Sequence, residues 1–292
     1  MFKKLLQIWR IPDLRAKILY VLGMLVIFRA AANIPIPGVD LANLQNFFQS
    51  NQIFGLLNLF SGGGLERFSI VAMGVAPYIT ASIIFQLLVM IIPRLEALQK
   101  EGEYGRQKIN QYTRFLTVPL AILQSYGLIV LLKQSPGDIL PPGMNLWVLL
   151  GMMLTLTTGS VFLMWIGELI SEKKIGNGIS LLIFAGIVAT LPQMIRSLQV
   201  VDASQIFNIL FFAVIGILTI FLVVLMTEGQ RNVPVTYARN VRGVSVSGTV
   251  DTFLPIRVNQ AGVIPIIFAI SVILFPPTIA QFLLYAKTEA LT

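Results

Sequence analysis

The residues able to do chemistry in this chain are few and of an unusual kind. It has Cys 0 and His 0, which removes thiol nucleophiles, Cys/His zinc sites, catalytic histidines and any disulfide framework. A Ser-His-Asp hydrolase and an HExxH intramembrane protease are both excluded. No acid falls in the middle of an apolar run, since Glu168 and Glu228 stand at run ends. Arg29 does lie within one; a charge there is costly and often functional, although near a helix end its long side chain can snorkel to the interface. Thr80, Gln86, Gln124 and Asn259, within or at the ends of apolar runs, could line a gate or act as interhelical glue, the commoner role. The stretch IFGLLNLF (Ile53–Phe60) precedes SGGG (Ser61–Gly64). At about ten residues it is too short to span. It reads as a surface amphipathic helix or as a re-entrant half-helix hinged on the glycines.

The elements that must position these residues are set by composition. Of 292 residues, 56% are hydrophobic and 12% charged, where a soluble domain carries roughly 25% charged. With a mean hydropathy of +0.82, a soluble globule, a disordered chain and a fibrous repeat are excluded. Six charge-free runs (Phe68–Pro93, Phe115–Leu132, Ile139–Gly167, Ile175–Ile195, Ala203–Thr227 and Val258–Ala286), with a seventh from Ile18 to Val39 interrupted by Arg29, predict seven spans. Sixteen of the 21 Lys and Arg fall on one set of alternate loops and four on the other. Cytoplasmic loops collect such residues, so the N-terminus is predicted inside.

Two segments echo each other. GVAPYITA (Gly74–Ala81) and GVIPIIFA (Gly262–Ala269) share five residues at the same offsets, and NIPI (Asn33–Ile36) matches NVPV (Asn232–Val235) in the same order. The predicted topology makes each pair antiparallel across the membrane, the mark of inverted-repeat transport proteins. If spans one to five form one half (1–200), residues 201–292 only begin the second, and the chain reads as incomplete. The loop Glu228–Gln260 carries β-branched stretches, VPVTYA and GVSVSGTV, around RNVRG (Arg239–Gly243). It predicts a cytoplasmic β-hairpin with a basic tip. With the basic second loop it would form a docking surface for something large and acidic.

Five longer strings now become specific: FRAAANIPIPGVD (Phe28–Asp40), NLFSGGGLERFSIVAMGVAPYITASIIFQLL (Asn58–Leu88), KEGEYGRQKINQYTRF (Lys100–Phe115), FLMWIGELISEKKIGNGISLLIFAGIVA (Phe162–Ala189) and LPIRVNQAGVIPIIFA (Leu254–Ala269). Together they closely resemble the SecY family, the central channel subunits of the bacterial Sec translocon. The resemblance implies an all-α polytopic membrane protein: an inverted-repeat clamshell with a re-entrant plug half-helix (54–66) and a cytoplasmic β-hairpin loop (228–260). This chain would supply about seven of ten spans. It implies a pore ring of Val75, Ile79, Ile183 and Ile267. The plug would comprise Leu56, Leu57, Asn58, Leu59, Phe60, Ser61, Gly62, Gly63, Gly64 and Leu65, and the lateral gate Thr80, Ile84, Gln86, Gln124, Asn259 and Ile270. Arg106, Lys108, Arg231, Arg239 and Arg242 would dock cytoplasmic partners.

The function so implied is passage of unfolded, signal-bearing polypeptides across the bacterial plasma membrane, with apolar helices released sideways into lipid. The implied partners are the small membrane subunits SecE and SecG, the motor ATPase SecA, the ribosome through its rRNA, signal peptides and nascent chains, and the lipid bilayer. No cofactor and no metal are implied, and no enzymatic activity. The competing class is a secondary transporter of a small solute, which also uses inverted repeats but needs ionisable groups near the midplane. A structural scaffold would need no Pro-broken helices.

Overall fold

The computed structural model describes residues 11–50, 61, 63–133, 139–140, 145–198, 206–235 and 252–259. It divides into two compact units; within the described residues the first runs to Arg196 and the second starts at Ser197.

The first unit opens with α1 (Pro12–Ala31), which has Pro12 in its first turn, acidic Asp13 near its positive end and Arg29 near its negative end. The apolar run predicted to continue to Val39 stops as helix at Ala31. Pro35 and Pro37 lack the amide donors a helix needs, and Asn33 folds back so that its Nδ2 donates to the Arg29 carbonyl at 2.7 Å. Asp40 starts α2 (Leu41–Ser50), its Oδ1 accepting from the amides of Ala42 at 2.9 Å and Asn43 at 3.3 Å.

Residues 63–75 run in turns, so the predicted second span is helical only from Ala76. An antiparallel bridge joins Pro35 to Ser69. Across it the Ile36 amide donates to the Phe68 carbonyl at 2.9 Å, and the Ile70 amide to the Ile34 carbonyl at 3.0 Å. Then α3 (Ala76–Ile91) begins. Ile92 takes the extended backbone that a residue ahead of proline prefers, and α4 (Pro93–Lys100) departs at 102°.

The next two helices, α5 (Glu103–Lys133) and α6 (Leu146–Glu172), have 31 and 27 residues. At 1.5 Å per residue these are about 46 and 40 Å long, enough for a hydrocarbon core of about 30 Å. Asn177 caps α7 (Gly178–Leu198), accepting at Oδ1 from the amides of Ile179 and Ser180 at 3.0 and 3.3 Å. Ser171 closes the turn between α6 and α7: its hydroxyl accepts from the Gly178 amide at 2.9 Å and donates to the Gly167 carbonyl at 2.8 Å. Among the described residues α5 and α6 are long and apolar enough to cross a membrane; α3 with α4 adds a third crossing if counted as one broken span.

Helix α5 packs against α3 and α6, and α1 against α6. Two apolar clusters fill this unit. One gathers Ile36, Leu44, Leu65, Phe68, Ile129, Ile139 and Leu156 around the turns that follow α1. The other joins Val21, Phe28, Val71, Val75, Leu163, Ile166 and Leu182, from α1, the approach to α3, α6 and α7.

In the second unit α8 (Ile206–Glu228) is apolar and exposed at every position from Ala213 to Glu228, the surface a lipid-facing helix needs. The hairpin predicted within Glu228–Gln260 is present. Its strands are β1 (Gln230–Val235) and β2 (Thr252–Arg257), antiparallel with Gln230 opposite Arg257 and Val235 opposite Thr252. The GVSVSGTV stretch lies outside the described residues; the strand paired with β1 is TFLPIR.

Candidate functional site

Val75 caps the start of α3, directly after Gly74, whose φ of +58 is one that side chains rarely adopt. The Ile79 amide donates to the Val75 carbonyl at 3.0 Å, one helical turn on. Val75 is buried, while Ile79 and Ile183 are half-buried and packed against the same apolar cluster. Val75 and Ile183, from different elements, also line one small recess with Phe28, Ser61, Gly74, Leu163 and Leu182. Among the described residues no ionisable side chain lines it. The structure thus brings together three of the four predicted ring residues; Ile267 lies outside the described residues.

Of the predicted gate residues, Thr80 and Gln124 meet. The Gln124 Nε2 on α5 donates to the Thr80 Oγ1 on α3 at 3.4 Å, and the Thr80 hydroxyl donates to the Ala76 carbonyl at 3.1 Å. This is the interhelical contact that polar residues commonly make between spans. Gln86 is exposed, and its Nε2 donates to the Ser82 hydroxyl on its own helix at 3.5 Å. Ile84 is half-buried. Asn259 follows β2 in the second unit and is exposed. Ile270 lies outside the described residues. The same α3–α5 face stacks Phe85 on Tyr112 with ring centroids 6.2 Å apart, and Arg114 of α5 forms an ion pair with Glu168 of α6.

Leu56–Phe60 and Gly62 also lie outside the described residues. Ser61, Gly63, Gly64 and Leu65 form turns, with the Ser61 hydroxyl accepting from the Leu65 amide at 3.1 Å and Leu65 buried in the first cluster. Next to them Arg67 donates through Nη1 to the Asn33 side-chain oxygen.

Among the proposed docking residues, Arg106 is exposed in the first turns of α5 and Lys108 holds its ammonium 4.5 Å from the Tyr104 ring centre. Arg231 is exposed on β1, opposite Ile256. Arg239 and Arg242 lie outside the described residues.

Sequence reasoning passed over Phe28, Leu163 and Leu182, which complete the recess, and Gly159 of α6. A Cβ at Gly159 would overlap the Ile70 carbonyl oxygen. The available signal was a glycine inside a long apolar helix, where it costs about 1 kcal/mol against alanine and so marks a close approach.

Long apolar helices, one broken at a proline elbow, packed around an apolar recess define a polytopic α-helical membrane protein. The SecY family model matches residues 69–292. A protein translocase subunit SecY from Streptomyces galbus is 45% identical over 287 residues, covering 94% of this chain. The chain belongs to the SecY family, and it spans 66% of that relative's length. Its fold is also that of a solved protein-conducting channel (TM-score 0.54, 19% identity, covering 87% of this chain and 55% of the other). The Sec61 of a canine ribosome–channel complex from the endoplasmic reticulum is similar as well, with TM-score 0.51, 19% identity and the same coverages of 87% and 55%.

Proposed function

We propose that this chain forms part of a protein-conducting channel of the bacterial plasma membrane, with its N-terminus in the cytoplasm. The channel moves unfolded, signal-bearing polypeptides and lets apolar helices leave sideways into lipid. The chain itself performs no covalent chemistry; energy comes from a partner. Residues 1–200 form one half of the pore and 201–292 begin the other.

One observation carries this reading: Val75, Ile79 and Ile183, reached by two separate parts of the chain, share one apolar cluster, and the described residues that line the recess with Val75 and Ile183 carry no charge. Aliphatic side chains seal by excluding water, yet offer a passing chain no donor or charge that would hold it. Ile267 completes this ring, and the segment Leu56–Leu65 plugs it from outside. Thr80, Ile84, Gln86, Gln124, Asn259 and Ile270 belong to the lateral gate. The Streptomyces relative is a translocase subunit and a structural neighbour belongs to a ribosome–channel complex, which supports a multi-subunit assembly. SecE and SecG are its small membrane subunits. SecA and the ribosome dock through Arg106, Lys108, Arg231, Arg239 and Arg242.

The test uses the complete protein with its partner subunits in vesicles. Val75→Ser and Ile183→Ser are expected to raise ion leak and to admit substrates that lack a signal. Ion permeability and signal dependence equal to the parent protein's would overturn the reading.

A further inference from the structure

Gly159 sits on α6 where the turns leading to α3 cross it. A Cβ built there would overlap the Ile70 carbonyl oxygen, with the Ile70 carbonyl carbon at 2.7 Å and the Val71 Cα at 3.3 Å. These neighbours are backbone, so they cannot swing aside as a side-chain tip can. Only a hydrogen at position 159 lets residues 70 and 71 lie directly on the helix. One helical turn further along α6, Leu163 packs in the cluster that holds Val71 and Val75.

The stretch from Ile70 to Val75 transmits any displacement. Upstream, Ile70 is tethered through its amide to the Ile34 carbonyl at 3.0 Å, so slack on that side is small. Beyond it the chain is tightly turned: the Gly74 amide donates to the Val71 carbonyl at 2.8 Å and the Ala76 amide to the Met73 carbonyl at 3.3 Å. Val71 is fully buried and Val75 nearly so. Pushing Ile70 off α6 must therefore carry Val71 and Val75 with it.

We propose that Gly159 is a positioning residue for the apolar constriction: through the backbone of Ile70 and Val71 it sets how deeply Val75 sits beside Ile183. The functional half of this proposal rests on the channel reading above. Gly151 supplies an internal control, since it lies on the same helix and a Cβ added to it meets nothing within 4 Å.

The experiment uses the complete protein with its partner subunits in membranes, in a cysteine-free background carrying Val75→Cys and Ile183→Cys. A short thiol cross-linker reports their proximity, scored only on chains recovered in the assembled complex. Gly159→Ala is expected to lower the yield several-fold, and Gly151→Ala to leave it unchanged. Ile70→Gly loosens the same backbone without a clash and lowers the yield as well, so the result does not hinge on one poorly assembling variant. A yield in either variant equal to that of Gly151→Ala overturns the proposal. Without the cysteines, Gly159→Ala raises export of signal-less substrate relative to signal-bearing substrate, as Val75→Ser does. If Val75→Ser relaxes selectivity and Gly159→Ala does not, the proposal fails. If the cross-link falls while Val75→Ser itself changes nothing, the channel reading fails and the positioning role stands.

Discussion

Arg114 of α5 and Glu168 of α6 form an ion pair between consecutive helices, with the Glu168 side chain 20% exposed and the Arg114 side chain 47%. A carboxylate held this far from water loses more from the removal of its partner than an exposed one does. Arg114→Ala is expected to destabilise the purified protein by about 1–2 kcal/mol, and Glu168→Gln by less, because the amide still accepts a hydrogen bond. The exchanged pair Arg114→Glu with Glu168→Arg should recover most of the loss. Thermal unfolding in detergent, run as a double-mutant cycle, measures the coupling. Additive losses would show that the two charges do not act together.

The contact between Gln124 and Thr80 is long, at 3.4 Å, and the Thr80 hydroxyl already donates to its own helix. Removing such a bond between membrane helices costs little, about 0.6 kcal/mol on average. Gln124→Leu and Thr80→Val should each shift stability by less than about 1 kcal/mol, with the double variant no worse than the sum. A loss of several kcal/mol in the same unfolding assay would mean that this contact, and not the surrounding apolar packing, holds α3 to α5.

Phe68 combines full burial with a φ of +43. Truncating a buried phenylalanine costs about 3–5 kcal/mol, whereas relieving left-handed backbone gains about 1 kcal/mol when the new residue is glycine. Phe68→Gly is therefore expected to be less destabilising than Phe68→Ala, reversing the usual order of the two. Melting temperatures of the purified variants decide it; alanine proving the milder change would contradict the backbone assignment.

Much of the fold could be read from residue types. The runs that become α5 and α6 carry their own length signal, and the charge-free stretch after Ala203 becomes α8. Errors arise at prolines. The run to Val39 reads as one apolar span, but Pro35 and Pro37 end the helix at Ala31, and the run to Pro93 includes turns that hydropathy cannot tell from helix. In the hairpin, Pro255 hides the strand TFLPIR. The candidate site was less legible still. Val75, Ile79 and Ile183 look like ordinary packing residues, and only resemblance singled them out. Gly159 gave no signal beyond its presence in a helix, because its partner is a backbone segment 88 or more residues away in sequence.

The hairpin holds one proline in each strand, Pro234 in β1 and Pro255 in β2, for a reason that can be tested. The Val258 amide donates to the Gly229 carbonyl at 2.9 Å, so residues 229 and 258 form a hydrogen-bonded pair, and pairs alternate along the ladder. Arg231 with Ile256 and Val233 with Leu254 are then bonded pairs, while Asn232 with Pro255 and Pro234 with Phe253 are not. Both prolines thus occupy positions whose amides would point away from the partner strand, and neither removes a ladder bond. A third proline should be tolerated or rejected by the same parity. Asn232→Pro keeps every ladder bond and should leave amide hydrogen exchange at Leu254 and Ile256 nearly unchanged. Val233→Pro deletes a ladder donor, a loss of about 1–1.5 kcal/mol, and should speed exchange at those amides roughly tenfold. The reverse order, with Asn232→Pro the more damaging, would mean that the register is shifted by one residue, which would move every side chain of β1 to the opposite face.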